Sequence, residues 1–176
     1  MRFLPTAIAG AFLVEPAAQA DERGRFARLF CEAAFTAAGI DFTPVQINVS
    51  RNPATGTLRG MHTQTAPHEE AKLVQCIRGH IFDVAIDLRR QSPTFGCHMT
   101  VDLAADDDRL FYIPPGCAHG FLTRTPNSDV LYYMGTAFVP GVGTGVRWND
   151  PAFGIAWPSA PTIISDRDAT YPDYAR

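Results

Sequence analysis

The sequence predicts an all-β fold, a sandwich or barrel of the jelly-roll kind with few helices. Three observations carry that expectation. Fourteen glycines and fourteen prolines punctuate 176 residues into short segments. Those segments recur at a regular short spacing and are rich in Val, Ile, Phe and Tyr. Only one stretch has the alanine-rich composition of a helix. At this length one domain over residues 1–176 can bury a core without disulfide or metal staples.

Taken in order, Met1-Arg2, the apolar run 3–14 and Ala18-Gln19-Ala20 imitate a signal peptide with a small-residue cleavage site. Pro5, Thr6 and Gly10 interrupt that run and Glu15-Pro16 follows it, and a first edge strand over residues 7–14 explains the same residues. Asp21-Glu22-Arg23-Gly24 is a charged turn before a short strand at 25–30. Residues 31–39, with Ala33, Ala34, Phe35, Ala37 and Ala38 and a stop at Gly39, form the one clear helix. Over 42–50, Val45, Ile47 and Val49 oppose Gln46, Asn48 and Ser50, the pattern of a half-buried strand whose amides face a pocket.

A turn at 51–56 leads into a strand at 57–64 that carries Arg59 and His62. An odd and an even position cannot share a face of an ideal strand, so Gly60 is expected to mark a bulge that re-aims one of them. After a loop at 65–70, segments 72–77 and 81–88 are expected to form a hairpin across Arg78-Gly79-His80. On the second of these, Phe82, Val84, Ile86 and Leu88 share one face; Asp83, Ala85 and Asp87 share the other, towards solvent or a polar cavity. Further strands are read at 97–103, 109–113, 120–125 and 130–137. From Pro140 onward, glycines and prolines predict an irregular tail anchored by Trp148, Phe153, Ile155 and Trp157.

A net charge of −3 argues against nucleic acid as the main partner. No stretch approaches a transmembrane helix in length. Cys31, Cys76, Cys97 and Cys117 are widely spaced with no Cys-x-x-Cys pair, which fits reduced thiols in the cytoplasm better than a zinc knuckle or a disulfide framework.

Pro114-x-Gly116-x-x-His119 after a strand resembles the second motif of the cupin superfamily, whose fold is a double-stranded β-helix (jelly roll). The first cupin motif would supply His-x-His, and here His62-Thr63-Gln64 lacks the second histidine. A metal centre would therefore have to combine His62 and His119 with residues of the following loop, His68, Glu69 or Glu70.

A longer resemblance runs from about Glu15 to Asp168. Leu58-Arg59-Gly60-Met61-His62, Lys72-Leu73-Val74, the segments 82–89 and 92–96, Ile113-Pro114-Pro115-Gly116-Cys117-Ala118-His119-Gly120-Phe121 and Trp148-Asn149-Asp150-Pro151 stand in the order and spacing of the dTDP-4-dehydrorhamnose 3,5-epimerase family. That resemblance implies a cupin, usually dimeric, that needs no metal or other cofactor and acts on a nucleotide-linked 4-keto-6-deoxyhexose. It also implies roles. His62 matches the family's base, Asp168 its carboxylate partner and Tyr132 its acid, while Lys72 would hold the developing oxyanion. Arg23, Arg59 and Arg167, with Gln46 and Asn48, match positions used for the diphosphate and sugar, and His119 matches a substrate contact, with Asp83 to orient it.

The chain departs from the family at Arg28, Ile47, Ala137, Phe138 and Gly143, which leaves the base, the exact sugar and the number of epimerised carbons open. A metal-dependent cupin enzyme and a catalytically inactive nucleotide-sugar-binding cupin remain as alternatives at this point.

Overall fold

The computed structural model describes residues 1–175 and builds them almost entirely from strands. In chain order the elements are β1 (Arg2–Pro5), β2 (Phe12–Glu15), β3 (Ala18–Asp21), β4 (Gly24–Ala27), α1 (Glu32–Ala37), β5 (Gln46–Asn52), β6 (Leu58–Gln64), β7 (Lys72–Arg78), β8 (His80–Asp87), β9 (His98–Ala104), β10 (Leu110–Ile113), β11 (Cys117–Thr123), β12 (Ser128–Met134), β13 (Gly143–Gly145) and α2 (Asp166–Ala169). A six-stranded sheet in the order β1-β2-β10-β7-β12-β5 faces a five-stranded sheet in the order β13-β6-β11-β8-β9, and every ladder in both is antiparallel. This is the cupin jelly roll that the sequence predicts.

Three apolar layers hold it together. Between the sheets, Val74, Phe111, Ile113 and Val130 meet Ile81, Ala85, Leu103 and Phe121, all removed from water. Each large side chain buried there contributes roughly 1.5–3 kcal/mol of transfer free energy. Outside the six-stranded sheet, Phe35 of α1 packs with Phe42, Leu73, Leu110 and Tyr112, and its ring lies 4.9 Å from that of Phe3. Outside the five-stranded sheet, Met61, Val84, Ile86 and Ala118 are covered by Val146, Phe153 and Trp157 of the tail. The apolar face of β8 thus serves the tail, and its Asp83 and Asp87 face is fully buried inside.

Several local expectations are corrected. The strand read at 7–14 is a turn followed by β2: Ala7–Gly10 turns inward to bury Ile8 and returns the chain as β2 beside β1, which precedes the range. The strand read at 25–30 is the second arm of the two-stranded ribbon β3–β4, which belongs to neither large sheet. β7 and β8 do not pair: Gly79, at φ +76°, turns the chain from one sheet into the other, and each strand then finds partners buried on both of its sides. A Cβ on Gly79 would lie 2.6 Å from Ser128 Oγ, so the corner has no room for a side chain. The apolar face of β5 points outward at the sheet edge, with Val45, Ile47 and Val49 exposed. The tail, expected to be irregular, also contributes β13 and α2.

Candidate active site

The polar face of β5, with Gln46, Asn48 and Ser50, forms one wall of a cavity of about 360 Å³ that opens between the two sheets. Lys72 of β7 and Tyr132 of β12 line it from the same sheet. Arg59 and His62 of β6 and His119 of β11 line it from the other. Arg167 of α2 closes the rim. Cross-strand register explains the clustering, since Tyr132 sits opposite Asn48, Met134 opposite Lys72, and His119 opposite His62.

Arg59 and His62 both reach the cavity because β6 is irregular between them. Against β11, three steps from Arg59 to His62 span two steps from Phe121 to His119. Gly60 takes φ +141° at that place, and a Cβ there would sit 2.5 Å from the Gly120 Cα. Glycine is therefore required by both conformation and space.

His62 Nε2 lies 2.8 Å from Asp168 Oδ1, and Asp168 Oδ2 accepts the Gly60 N–H at 3.1 Å. Asp168 comes from α2, whose N-cap Ser165 accepts the Asp168 N–H. Burial pushes the Asp168 carboxyl up, but the bonds from His62 and Gly60 outweigh it and hold it below the ordinary carboxylate range. The His62 ring remains 42% exposed, open to the cavity, while Asp168 is buried behind it. An exposed imidazole clamped by a buried carboxylate has a fixed orientation and a free ring edge.

A second such pair lies deeper. His119 Nε2 is 2.7 Å from Asp83 Oδ1, both buried, and the His119 ring meets the Tyr132 ring edge-on at 5.8 Å. Burial pushes Asp83 up, against the pull of His119. Burial also pushes the Tyr132 phenol well above its usual range, with the Asp83 charge adding to the effect, so the hydroxyl keeps its proton. Opposite, Lys72 Nζ is 2.5 Å from Glu70 Oε1.

The cation set is held in place by neutral acceptors. Arg59 Nε donates to Asn52 Oδ1 at 2.8 Å, and Arg167 donates to the Tyr171 hydroxyl at 2.9 Å and to the Gly143 carbonyl at 3.1 Å. Gln46 donates to Asn48 at 3.0 Å and accepts the Phe138 N–H at 3.2 Å.

The structure thus gathers His62, Asp168, Lys72, Tyr132, Arg59, Gln46, Asn48, His119 and Arg167 around one space. Arg23 is not among them. It lies exposed on the β3–β4 ribbon, paired with Asp21 at 2.6 Å, and does not line this cavity. His68 and Glu69 also stand outside the lining, and among the described residues no three His, Cys, Asp or Glu side chains converge as metal ligands would.

The sequence offers Glu70 only as a candidate metal ligand and does not mark Thr63, Gln64, Met134 or Thr144 as lining residues. For Glu70 the signal was present: two positions from Lys72 in an extended chain places both on one face. Phe138 and Gly143, noticed only as departures, also line the cavity.

Comparison with known proteins agrees with this geometry. Residues 5–176 match the family model described as dTDP-4-dehydrorhamnose 3,5-epimerase. The chain is 41% identical over 173 residues to the dTDP-4-dehydrorhamnose 3,5-epimerase of Methanothermobacter thermautotrophicus, covering 97% of this chain and 92% of that one. It superposes with TM-score 0.94, at 37% identity and covering 98% and 99% of the two chains, on the Bacillus anthracis dTDP-4-dehydrorhamnose 3,5-epimerase crystallised with TDP and PPi. It also superposes with TM-score 0.88, at 36% identity and covering 96% and 86%, on a 3′-monoepimerase from Streptomyces bikiniensis in complex with dTDP-quinovose.

Proposed function

The chain belongs to the dTDP-4-dehydrorhamnose 3,5-epimerase family, and from that premise we infer a cofactor-free epimerase acting beside the ketone of a nucleotide-linked 4-keto-6-deoxyhexose. The observation that carries the reading is that His62 and Tyr132 stand in opposite sheets and line one cavity, with Lys72 in its wall. A proton on a carbon next to a ketone becomes removable when a base reaches it and the enolate oxygen finds a cation.

In this reading His62 takes the proton from C3 or C5. Asp168 keeps the imidazole oriented and stabilises the imidazolium that forms, as the charged carboxylate its hydrogen bonds maintain. Lys72 faces the developing enolate oxygen. Tyr132, protonated throughout the working range, delivers a proton from the other side and inverts the centre. Arg59 and Arg167 offer guanidinium forks to the diphosphate, while Gln46, Asn48 and His119 contact the sugar.

The test is incubation with candidate nucleotide 4-keto sugars in deuterated water, read by NMR. Deuterium at C3 and C5 with inversion at both supports the 3,5-epimerase. Incorporation and inversion at C3 alone assigns a monoepimerase, the outcome that the likeness to the Streptomyces bikiniensis protein keeps in view. No incorporation with any such sugar rejects the reaction.

The assembly we propose is a homodimer in the cytoplasm. Two surfaces support pairing: the outward β5 face with Val45, Ile47 and Val49, and the exposed β3–β4 ribbon with Phe26 74% exposed. Edge strands with apolar faces are covered in stable proteins. Arg23 then contacts substrate only if the ribbon of one chain reaches the cavity of the other. Ile47→Asp with Val49→Asp is expected to give a monomer by sedimentation, where the unaltered protein is expected to sediment as a dimer. No helix among the described residues is long and apolar enough to cross a membrane.

A further inference from the structure

Lys72 is the single lysine of the sequence, against fourteen arginines, and it is buried in the cavity wall. Elsewhere the chain uses arginine, which keeps its charge in any surroundings. A lysine in this place is a cation that its neighbours can take away.

We propose that Glu70 is the positioning residue that keeps Lys72 charged and aimed into the cavity, where the oxygen of a bound keto sugar gathers charge. The proposal rests on the epimerase reading for its substrate, but its geometry stands without it. Glu70 Oε1 lies 2.5 Å from Lys72 Nζ, and both residues are 5% exposed. The two occupy one face of the chain as it enters β7.

Glu70 Oε2 is buried with no hydrogen-bond partner among the described residues. Leaving a buried carboxylate oxygen unpaired is unfavourable, and a purely structural contact would avoid it by using an amide or an apolar side chain.

Electrostatics supports the geometry. Burial pulls the Lys72 ammonium below the ordinary lysine range, and the charge and hydrogen bond of Glu70 oppose it. The other groups around Lys72 do not replace Glu70. Its cross-strand neighbours Ile113 on β10 and Met134 on β12 are uncharged. Cys117 of β11 carries a thiol that burial pushes up to about 12, so it stays neutral. The space is also lined by Tyr132 from the same sheet and by His62, Arg59, His119 and Arg167, none of them an anion at neutral pH, and Asp168 and Asp83 are engaged by the two histidines. Glu70 is therefore the carboxylate that answers this ammonium.

A single lysine makes the test direct. Protein labelled with ¹³C at lysine Cε gives one lysine signal, whose pH titration reports Lys72 alone. In Glu70→Gln, which keeps the shape and the acceptor oxygen, the Lys72 midpoint is expected to fall by one pH unit or more, about a tenfold loss of proton affinity. Glu70→Asp restores part of the shift, and it replaces the glutamine variant if that one does not fold. In deuterium exchange with the 4-keto sugar, the alkaline fall in kcat should move down in pH by the same amount, with KM little changed. A Lys72 midpoint that stays in place while thermal stability drops would overturn the proposal and leave Glu70 a packing residue. Absence of exchange in the unaltered protein would instead reject the epimerase reading, and the titration would still decide whether Glu70 holds the charge.

Discussion

At the scale of single residues, the site works by contrast of environment. Two histidines each have a carboxylate within 2.8 Å, yet one ring is open to the cavity and the other is almost wholly buried in its wall. The open one, His62, is the base of the proposed reaction; the buried one, His119, meets the Tyr132 ring edge-on at 5.8 Å. His62→Ala is expected to lower deuterium incorporation by about 10²–10⁴-fold, the usual share of a general base. Tyr132→Phe is expected to retain much of the incorporation while inverted product falls by tens of fold, because abstraction and re-delivery use different residues; equal losses in both would argue against separate roles. Individual side chains were legible where a motif carried them, as with His62, Lys72 and His119. For Glu70 only its two-residue spacing from Lys72 carried a signal, because a loop glutamate beside another glutamate also reads as solvated surface.

At the scale of elements, β6 does the most to shape the site. Its glycine lets the strand change register against β11, so that a cation and an imidazole from unlike positions face one space. Gly60→Ala is expected to cost at least about 2 kcal/mol, since an L side chain is strained at this φ and meets backbone rather than a flexible side chain. The loss should appear as a lower midpoint in thermal unfolding, with activity falling further than stability because Arg59 and His62 move apart. This bulge was visible in the sequence from the parity of two positions around a glycine. The expected hairpin at 78–80 was not correctable from local pattern, because a corner between sheets and a turn within one use the same glycine signal. The outward face of β5 failed for a related reason: alternation separates two faces of a strand but does not say which of them finds the core.

At the scale of the whole molecule, stability and site draw on separate charge networks. Asp87, fully buried at the end of β8, accepts from Arg89, Ser92 and Thr94 at 2.5–2.8 Å. Burial pushes its carboxyl up, but these donors prevail and hold it at about 2, below its ordinary 3.8. A depressed carboxyl stabilises the fold above its unfolded value, and that stabilisation disappears as pH falls from about 4 to about 2. Asp87→Asn should therefore unfold roughly 4–8 °C lower at neutral pH, about 2 kcal/mol, and the gap should narrow through that acid window in calorimetric scans. The jelly roll itself was legible because many short apolar strands between turns admit few other architectures. Which sheet each strand joins depends on pairings between distant segments, and those leave no local trace.

The carboxylate behind His62 arrives on α2, 106 positions later in the chain. All the barrel strands precede α2 in chain order, and the dyad is complete only when α2 docks against β6. A chain whose α2 is undocked is thus expected to be a folded but idle shell, its imidazole left without the carboxylate that orients it.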